Sequence, residues 1–168
     1  MGDFSLFKNL ADGFLNIGGF CNISFKSNNK INAFDICPGN LPLNKTANKL
    51  KLDYDKNGNI AKKGEVLDFI LNKLNNLSYY TENGPKSLGV EWLEDCFYPL
   101  IKDSESIPNI MATLVEHISC QIANVINYQN LNKILITGGG AKNTYLIARI
   151  KEKTNAQIII PDNDLIDS

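Results

Sequence analysis

Leu135-Ile136-Thr137-Gly138-Gly139-Gly140-Ala141-Lys142-Asn143 is the stretch that decides the fold. Apolar and β-branched residues run from Lys133 to Thr137, three glycines interrupt them, and a helix-compatible segment follows from Asn143. A strand that empties into glycines and restarts as a helix lets backbone N–H groups approach a ligand without Cβ interference. The partial positive charge of the helix N-terminus suits the same ligands, phosphates and nucleotides. A tight strand–helix turn without a ligand has the same pattern. No Gly-Lys-Ser/Thr follows the glycines, so the segment is not a P-loop.

Working backward, Gly13 to Ile17, Phe20 to Lys26 and Ile31 to Ile36 are short apolar runs. Gly18-Gly19 separates the first two and Ser27-Asn28-Asn29-Lys30 the second pair, as in consecutive antiparallel hairpins. Asn40 to Leu50 turns helical, with Leu43, Ala47 and Leu50 at three- and four-residue spacing. Asp53 to Gly58 is a turn-rich loop. A second helix is expected after it, with Val66, Phe69, Ile70, Leu71 and Leu74 on its apolar side. A short helix near Leu88 carries Trp92, Leu93 and Phe97, and Pro108 opens the longest one, striped by Ile110, Met111, Leu114, Val115, Ile118, Ile122, Val125 and Ile126. After the glycines come a helix from Asn143 to Lys153 and a last strand, Gln157 to Ile160. Three strands, helices, strand, helix, strand predict an α/β fold: a mixed five-stranded sheet, antiparallel first and parallel afterwards, covered by helices. Only eight residues follow Ile160, too few for another full-length covering helix.

The bulk numbers exclude several functions. The 168 residues carry a formal net charge of −1, with a single arginine, Arg149, so there is no electrostatic footprint for nucleic acid or an anionic membrane. No apolar run approaches a membrane span, and the N-terminus lacks a signal-peptide pattern, so a cytoplasmic protein is expected. Cys21, Cys37, Cys96 and Cys120 are scattered without a Cys-x-x-Cys pair, which fits reduced thiols, three of them in apolar surroundings, better than zinc or a disulfide framework. Asp53-x-Asp55-x-Asn57-Gly58 imitates a calcium loop, but the twelfth position is Gly64 rather than a bidentate Glu. His117, the only histidine, has no acid or thiol near it in sequence and is expected to pack on the flank of the long helix.

Five segments, in order along nearly the whole chain, resemble the C-terminal half of anhydro-N-acetylmuramic acid kinases, within the sugar kinase, Hsp70 and actin superfamily. They are Asn16-Ile17-Gly18-Gly19-Phe20-Cys21-Asn22-Ile23-Ser24, Phe34-Asp35-Ile36-Cys37-Pro38-Gly39-Asn40, Tyr54-Asp55-Lys56-Asn57-Gly58 with Gly64 following, Pro85-Lys86-Ser87-Leu88-Gly89-Val90-Glu91, and Thr137-Gly138-Gly139-Gly140-Ala141-Lys142-Asn143. The resemblance implies a ribonuclease-H-like lobe of an actin-like ATPase. It also implies a bacterial enzyme that phosphorylates 1,6-anhydro-N-acetylmuramic acid at O6 with Mg–ATP while water opens the anhydro bridge, giving N-acetylmuramic acid 6-phosphate in cell-wall recycling. A homodimer is implied too.

By the same resemblance, Asn16, Gly18, Gly19 and Asn22 belong to a phosphate hairpin, and Gly138, Gly139, Gly140 and Asn143 to the floor beneath adenosine. Many relatives in the superfamily carry a carboxylate where Asn16 stands, and Asn143 is also a favoured N-cap. Asp35, Gly39, Asn40, Lys86 and Ser87 are the candidates for the sugar side. Asp35 could equally accept backbone donors in its turn, and Lys86 and Ser87 could be structural, Ser87 as a helix cap. The family's N-terminal lobe and the aspartate taken to activate water are expected before Met1, and a closing helix after Ser168. Without that aspartate the isolated chain is expected to be inactive, and none of its own residues is assigned as catalytic; the alternative expectation is a non-catalytic ATP-binding or regulatory module of the same fold.

Overall fold

Residues 10–161 are described by the computed structural model. The predicted hairpins form as β1 (Gly13–Ile17), β2 (Phe20–Ser27) and β3 (Lys30–Pro38). Asn28 and Asn29 both take positive φ, 53° and 64°. That is the two-residue turn whose twist matches antiparallel strands, and asparagine tolerates it better than other side chains. The sheet order is β3-β2-β1-β4-β5, with β4 (Lys133–Thr137) and β5 (Gln157–Ile159) running parallel to β1. Asp12 fixes the start of the parallel pair: its carboxylate accepts the amides of Asn132 (2.9 Å) and Lys133 (2.7 Å).

One face of the sheet carries the helices. Leu15, Ile17, Cys21 and Ile23 point into this core, as period-2 alternation requires. A register shift at Cys21/Asn22 pairs Cys21 with Cys37 but Asn22 with Asp35, leaving Ile36 as the extra residue. The bulge sends both Ile36 (2 % exposed) and Cys37 (0 %) inward, and it holds Asp35 on the opposite face, level with Asn22.

Above the core lie α1 (Asn40–Asn48), α2 (Asn59–Lys63), α3 (Asp68–Asn75), the single turn α4 (Val90–Trp92) running into a π turn at Leu93–Phe97, the long α5 (Ile107–Tyr128) and α6 (Thr144–Lys153). The Ser106 hydroxyl caps α5 by accepting the Asn109 amide. Its predicted stripe is buried except for the half-exposed Val125, each large side chain contributing about 1.5–3 kcal/mol of burial.

The helix expected after Gly58 is two helices. The chain crosses the start of α5 at Gly64, where an added Cβ would lie 1.9 Å from the Pro108 carbonyl oxygen. This crossing breaks the helical path, so Val66 and Phe69 end exposed while Ile70 and Leu74 reach the core. Of the four thiols only Cys21 and Cys37 are buried; Cys120 is half-buried and Cys96 exposed, fewer than the apolar surroundings predicted.

His117 is fully buried but not merely packed. Its Nδ1–H donates to Asn75 Oδ1 and its Nε2 accepts from the Tyr80 hydroxyl, both at 2.6 Å. The tautomer follows from Asn75, whose Oδ1 also accepts from Gln121 Nε2 at 3.1 Å. These bonds tie α3 and the 3₁₀ turn Ser78–Thr81 to the middle of α5. Burial pushes the imidazole pKa down from 6.5 to about 3. The neutral ring is the one that fits, so its stabilisation is complete above pH 6.5 and is lost as pH falls toward 3. Urea unfolding as a function of pH should show this slope, at most about 1.4 kcal/mol per pH unit. His117→Gln should be less stable at neutral pH and show a flatter acid limb; an unchanged limb would remove His117 as its source.

Candidate functional site

Two glycine bends meet at the rim where β1 and β4 end side by side. The β1–β2 bend is closed by Gly18 N–H donating to the Phe20 carbonyl at 3.1 Å. Its own carbonyls face α1: Gly18 O accepts from Asn40 N (2.8 Å), and Gly19 O accepts from Gly39 N (2.8 Å) and Leu41 N (3.2 Å). The Asn40 side chain adds a bond from Nδ2 to the Ile17 carbonyl at 3.3 Å. The first amides of α1, which the helix cannot satisfy itself, are thus spent on holding the hairpin.

The second bend, Gly138 to Gly140, sits directly against the first. Gly138 has φ +86°, and a Cβ there would lie 2.5 Å from Asn16 Oδ1; at Gly140 it would lie 2.1 Å from Ile17 Cγ2. Both positions are closed to any side chain. Gly139 differs: a Cβ would meet only Asn40 Nδ2, at 3.6 Å, and the residue is exposed. It lines a cavity of about 540 Å³ with Asn40, Asn44, Tyr54, Lys56 and Asn143. The size falls within the ~300–1,000 Å³ of small-ligand sites.

The loop 53–57 forms the outer wall of this cavity, a role its sequence signalled only as a turn. The Asp55 carboxylate is buried and accepts Ile60 N (2.8 Å) and Ala61 N (3.0 Å). This explains the false calcium pattern: the carboxylate caps α2. The loop leans on the start of α6, where Asn143 Oδ1 accepts Leu146 N at 3.0 Å as N-cap and Thr144 Oγ1 donates to the Asn57 carbonyl at 3.3 Å. Asn143 therefore both caps the helix and lines the cavity.

From the bends a polar row crosses the face of the sheet opposite the core. Thr137, Asn16, Asn22 and Asp35 are register partners on four adjacent strands. Thr137 was not singled out in the sequence, because its position shows only through the strand register. At the end of the row β3 is the edge strand, and its backbone there is covered. Asp35 N–H donates to the Lys86 carbonyl (3.2 Å), the Tyr79 hydroxyl donates to the Asp35 carbonyl (2.6 Å), and Asp35 Oδ2 accepts Leu88 N (2.8 Å). Burial drives the Tyr79 phenol upward, aided by the Asp35 charge, which keeps it a donor.

The Pro-Lys-Ser loop thus joins the row through its backbone. The Lys86 ammonium turns to the helix side, donating to the Tyr79 carbonyl at 2.9 Å and lying 4.5 Å from the Tyr79 ring. Burial lowers its pKa. Ser87 is exposed and caps nothing: Gly89 precedes α4 with no side-chain cap. The structure therefore brings Asn16, Gly18, Gly19, Gly39, Asn40, Gly138, Gly139, Gly140 and Asn143 together, places Asn22 and Asp35 along the row, and leaves the Lys86 and Ser87 side chains outside it. Among the described residues no group of three His, Cys, Asp or Glu could hold a metal ion, and no helix is long and apolar enough to cross a membrane.

A sheet in the order β3-β2-β1-β4-β5, with two glycine bends at its rim and helices on the core face, defines a lobe of the actin-like ATPase fold. Two solved structures share it: the activator of 2-hydroxyisocaproyl-CoA dehydratase from Clostridium difficile with bound ADPNP, and the (R)-2-hydroxyglutaryl-CoA dehydratase component A of Acidaminococcus fermentans. The first has a TM-score of 0.56 at 18% identity, over 89% of this chain and 53% of its own. The second has 0.56 at 16%, over 96% and 59%.

The chain belongs to the anhydro-N-acetylmuramic acid kinase family, whose profile matches residues 5–166. Curated relatives of that name include one from Gamma-proteobacterium EBAC31A08, 37% identical over 87% of this chain and 41% of its own length. Another, from Aliivibrio fischeri, is 35% identical over 82% of this chain and 39% of its own. The chain thus spans about two fifths of the length of these relatives.

The two kinds of glycine make a direct test. Gly140→Ala should cost about 1–3 kcal/mol by overpacking against Ile17, lowering the melting temperature by several degrees. Gly139→Val should melt within about a degree of the parent. Equal losses for the two variants would contradict this description of the rim.

Proposed function

We propose that this chain is the nucleotide-contacting C-terminal lobe of an ATP-dependent kinase. Its reaction is phosphorylation of 1,6-anhydro-N-acetylmuramic acid at O6, with hydrolytic opening of the anhydro bridge to N-acetylmuramic acid 6-phosphate. The single observation carrying this reading is the contact between the two glycine bends beside the 540 Å³ cavity. Family membership supplies the substrate.

The residues present fit a nucleotide. Gly138 and Gly140 pack too closely on Asn16 and Ile17 to carry a Cβ, which fixes the bend, while Gly139 and Gly140 line the cavity beside it, where a base and ribose would lie between Asn40, Tyr54 and Asn143. Amides at the start of the 3₁₀ turn Gly139–Lys142 have no acceptor within that turn and point the reading toward phosphate oxygens. Mg–ATP, when bound, supplies the phosphoryl group and the charge neutralisation. Magnesium keeps most of its waters and phosphate ligands and needs only one or two protein carboxylates, so it does not call for a metal-binding cluster among the described residues. Asn16 and Asn22 would orient the phosphates through neutral donors, and Asp35, with Oδ2 held by Leu88 N, would accept from a sugar hydroxyl near Gly39 and Asn40. Lys86 and Ser87 would act there through the loop backbone. The complete enzyme is taken to be a homodimer.

Isothermal titration of Mg–ATP into the chain should give saturable binding, and Gly139→Val should weaken it by at least about tenfold, or 1.4 kcal/mol. Unchanged affinity in that variant would reject the adenosine floor. Replacing the matching segment of the Aliivibrio fischeri relative with this lobe tests the reaction itself. In heavy-oxygen water, with ATP and the anhydro sugar, the 6-phosphate product should carry the label. ATP-dependent product without the label would reject hydrolytic opening.

A further inference from the structure

A second cavity, of about 680 Å³, lies between the core-facing side of β3, the loop Tyr80 to Lys86 and the C-terminal half of α5. It shares no lining residue with the nucleotide cavity, and of its lining the proposed reaction draws only on the backbone of Lys86. Phe34 and Tyr80 supply aromatic walls, and Tyr128 stands at the rim, 83% exposed. Gln121 and Asn124 of α5 and Gln129, the residue that caps its C-terminus, present three carboxamides to the cavity. One carboxylate, Glu82, and one ammonium, Lys86, complete the ionisable lining, so the site has no net charge to offer a phosphate or a cation.

Gln121 gives the cavity its direction. The residue is 6% exposed, and its Nε2 is held by Asn75 Oδ1. Asn75 Oδ1 accepts in turn from His117 Nδ1, and His117 is itself held by the Tyr80 hydroxyl. The amide cannot flip without breaking this chain of bonds, so its Oε1 is the free end. No donor among the described residues reaches Oε1, and no buried side-chain oxygen is left unpartnered, so this atom opens on the cavity. A nearly buried carbonyl oxygen of fixed orientation calls for an O–H or N–H donor. Two further carboxamides can each donate and accept, and aromatic faces suit the C–H side of a ring. Neutral charge, paired donors and acceptors, and flat apolar walls together are the chemistry of a saccharide.

We propose that the cleft between β3 and the C-terminal half of α5 is a second binding site, separate from the nucleotide cavity, for a neutral saccharide held by Gln121 Oε1, Asn124 and Gln129 against Tyr80 and Tyr128. The inference does not depend on the kinase reading, since its residues and its ligand chemistry are independent of the glycine bends.

The test is a ¹H–¹⁵N titration of the full chain with N-acetylglucosamine, with glucose, and with acetamide as a non-saccharide amide. Saturable shifts are expected at the side-chain amides of Gln121, Asn124 and Gln129 with either sugar, while Gly139 and Asn57 stay unmoved. Gln121→Met keeps the volume and removes the acceptor, and should weaken binding by about tenfold. Because that variant also withdraws a donor from Asn75, Tyr128→Ser is the second probe. Its side chain is exposed, so the fold is kept, and binding should weaken severalfold. Three results overturn the proposal: no saturable response to either sugar, a response to acetamide as strong as to the sugars, or shifts at the same residues on dilution without ligand. The last would assign the cleft to contact with a second copy.

Discussion

The contact between Ile17 and the glycines of the second bend is the constraint on which the rest of the rim depends. Ile17 ends β1 with its side chain in the core and its carbonyl turned outward. The side chain leaves no room for a Cβ at Gly140, and Gly138 is pressed against Asn16 Oδ1 and the Ile17 carbonyl oxygen. The same carbonyl accepts from Asn40 Nδ2. One residue therefore locates β4, the glycine bend and the start of α1 together. The hairpin carbonyls complete the arrangement by using the first amides of α1. These last bonds are backbone to backbone, so the join between the hairpin and α1 does not rest on the Asn40 side chain alone.

Much of this was legible in the sequence, and for identifiable reasons. Strands with period-2 alternation and a long helix with a continuous apolar stripe declare themselves locally, so β1 to β4 and α5 fall where their residues predict. The glycine bends were legible as bends, and the contact between them followed from the parallel pairing of β1 with β4. What stayed hidden depends on distant partners. Gly64 breaks a helix because of Pro108, which is far from it in the chain. Ile36 enters the core because of a bulge, which no apolar count reveals. Asp55 resembles a metal ligand in sequence, and only the fold shows its two oxygens taken by Ile60 and Ala61.

The site was legible to a similar depth. Nine of the candidates gather at the rim because they sit in or beside turns, where local sequence and position agree. Lys86 departs because desolvated aromatic surface and the Tyr79 carbonyl compete for its ammonium. Its motif contributes through main-chain groups that cover the edge of β3, a function no side-chain argument could supply. Thr137 entered the polar row through register alone.

The wall formed by residues 53–57 has a mechanical side. Gly58, at φ +69°, lets this segment approach α6 so closely that a Cβ would lie 2.6 Å from Asn143 Oδ1. Asn143 is also the atom source that holds the first turn of α6 closed. A hydrogen bond that ties this wall to the helix runs from Thr144 Oγ1 to the Asn57 carbonyl, so the outer wall of the cavity and the first turn of α6 are joined through residue 144 and through the close packing at Gly58.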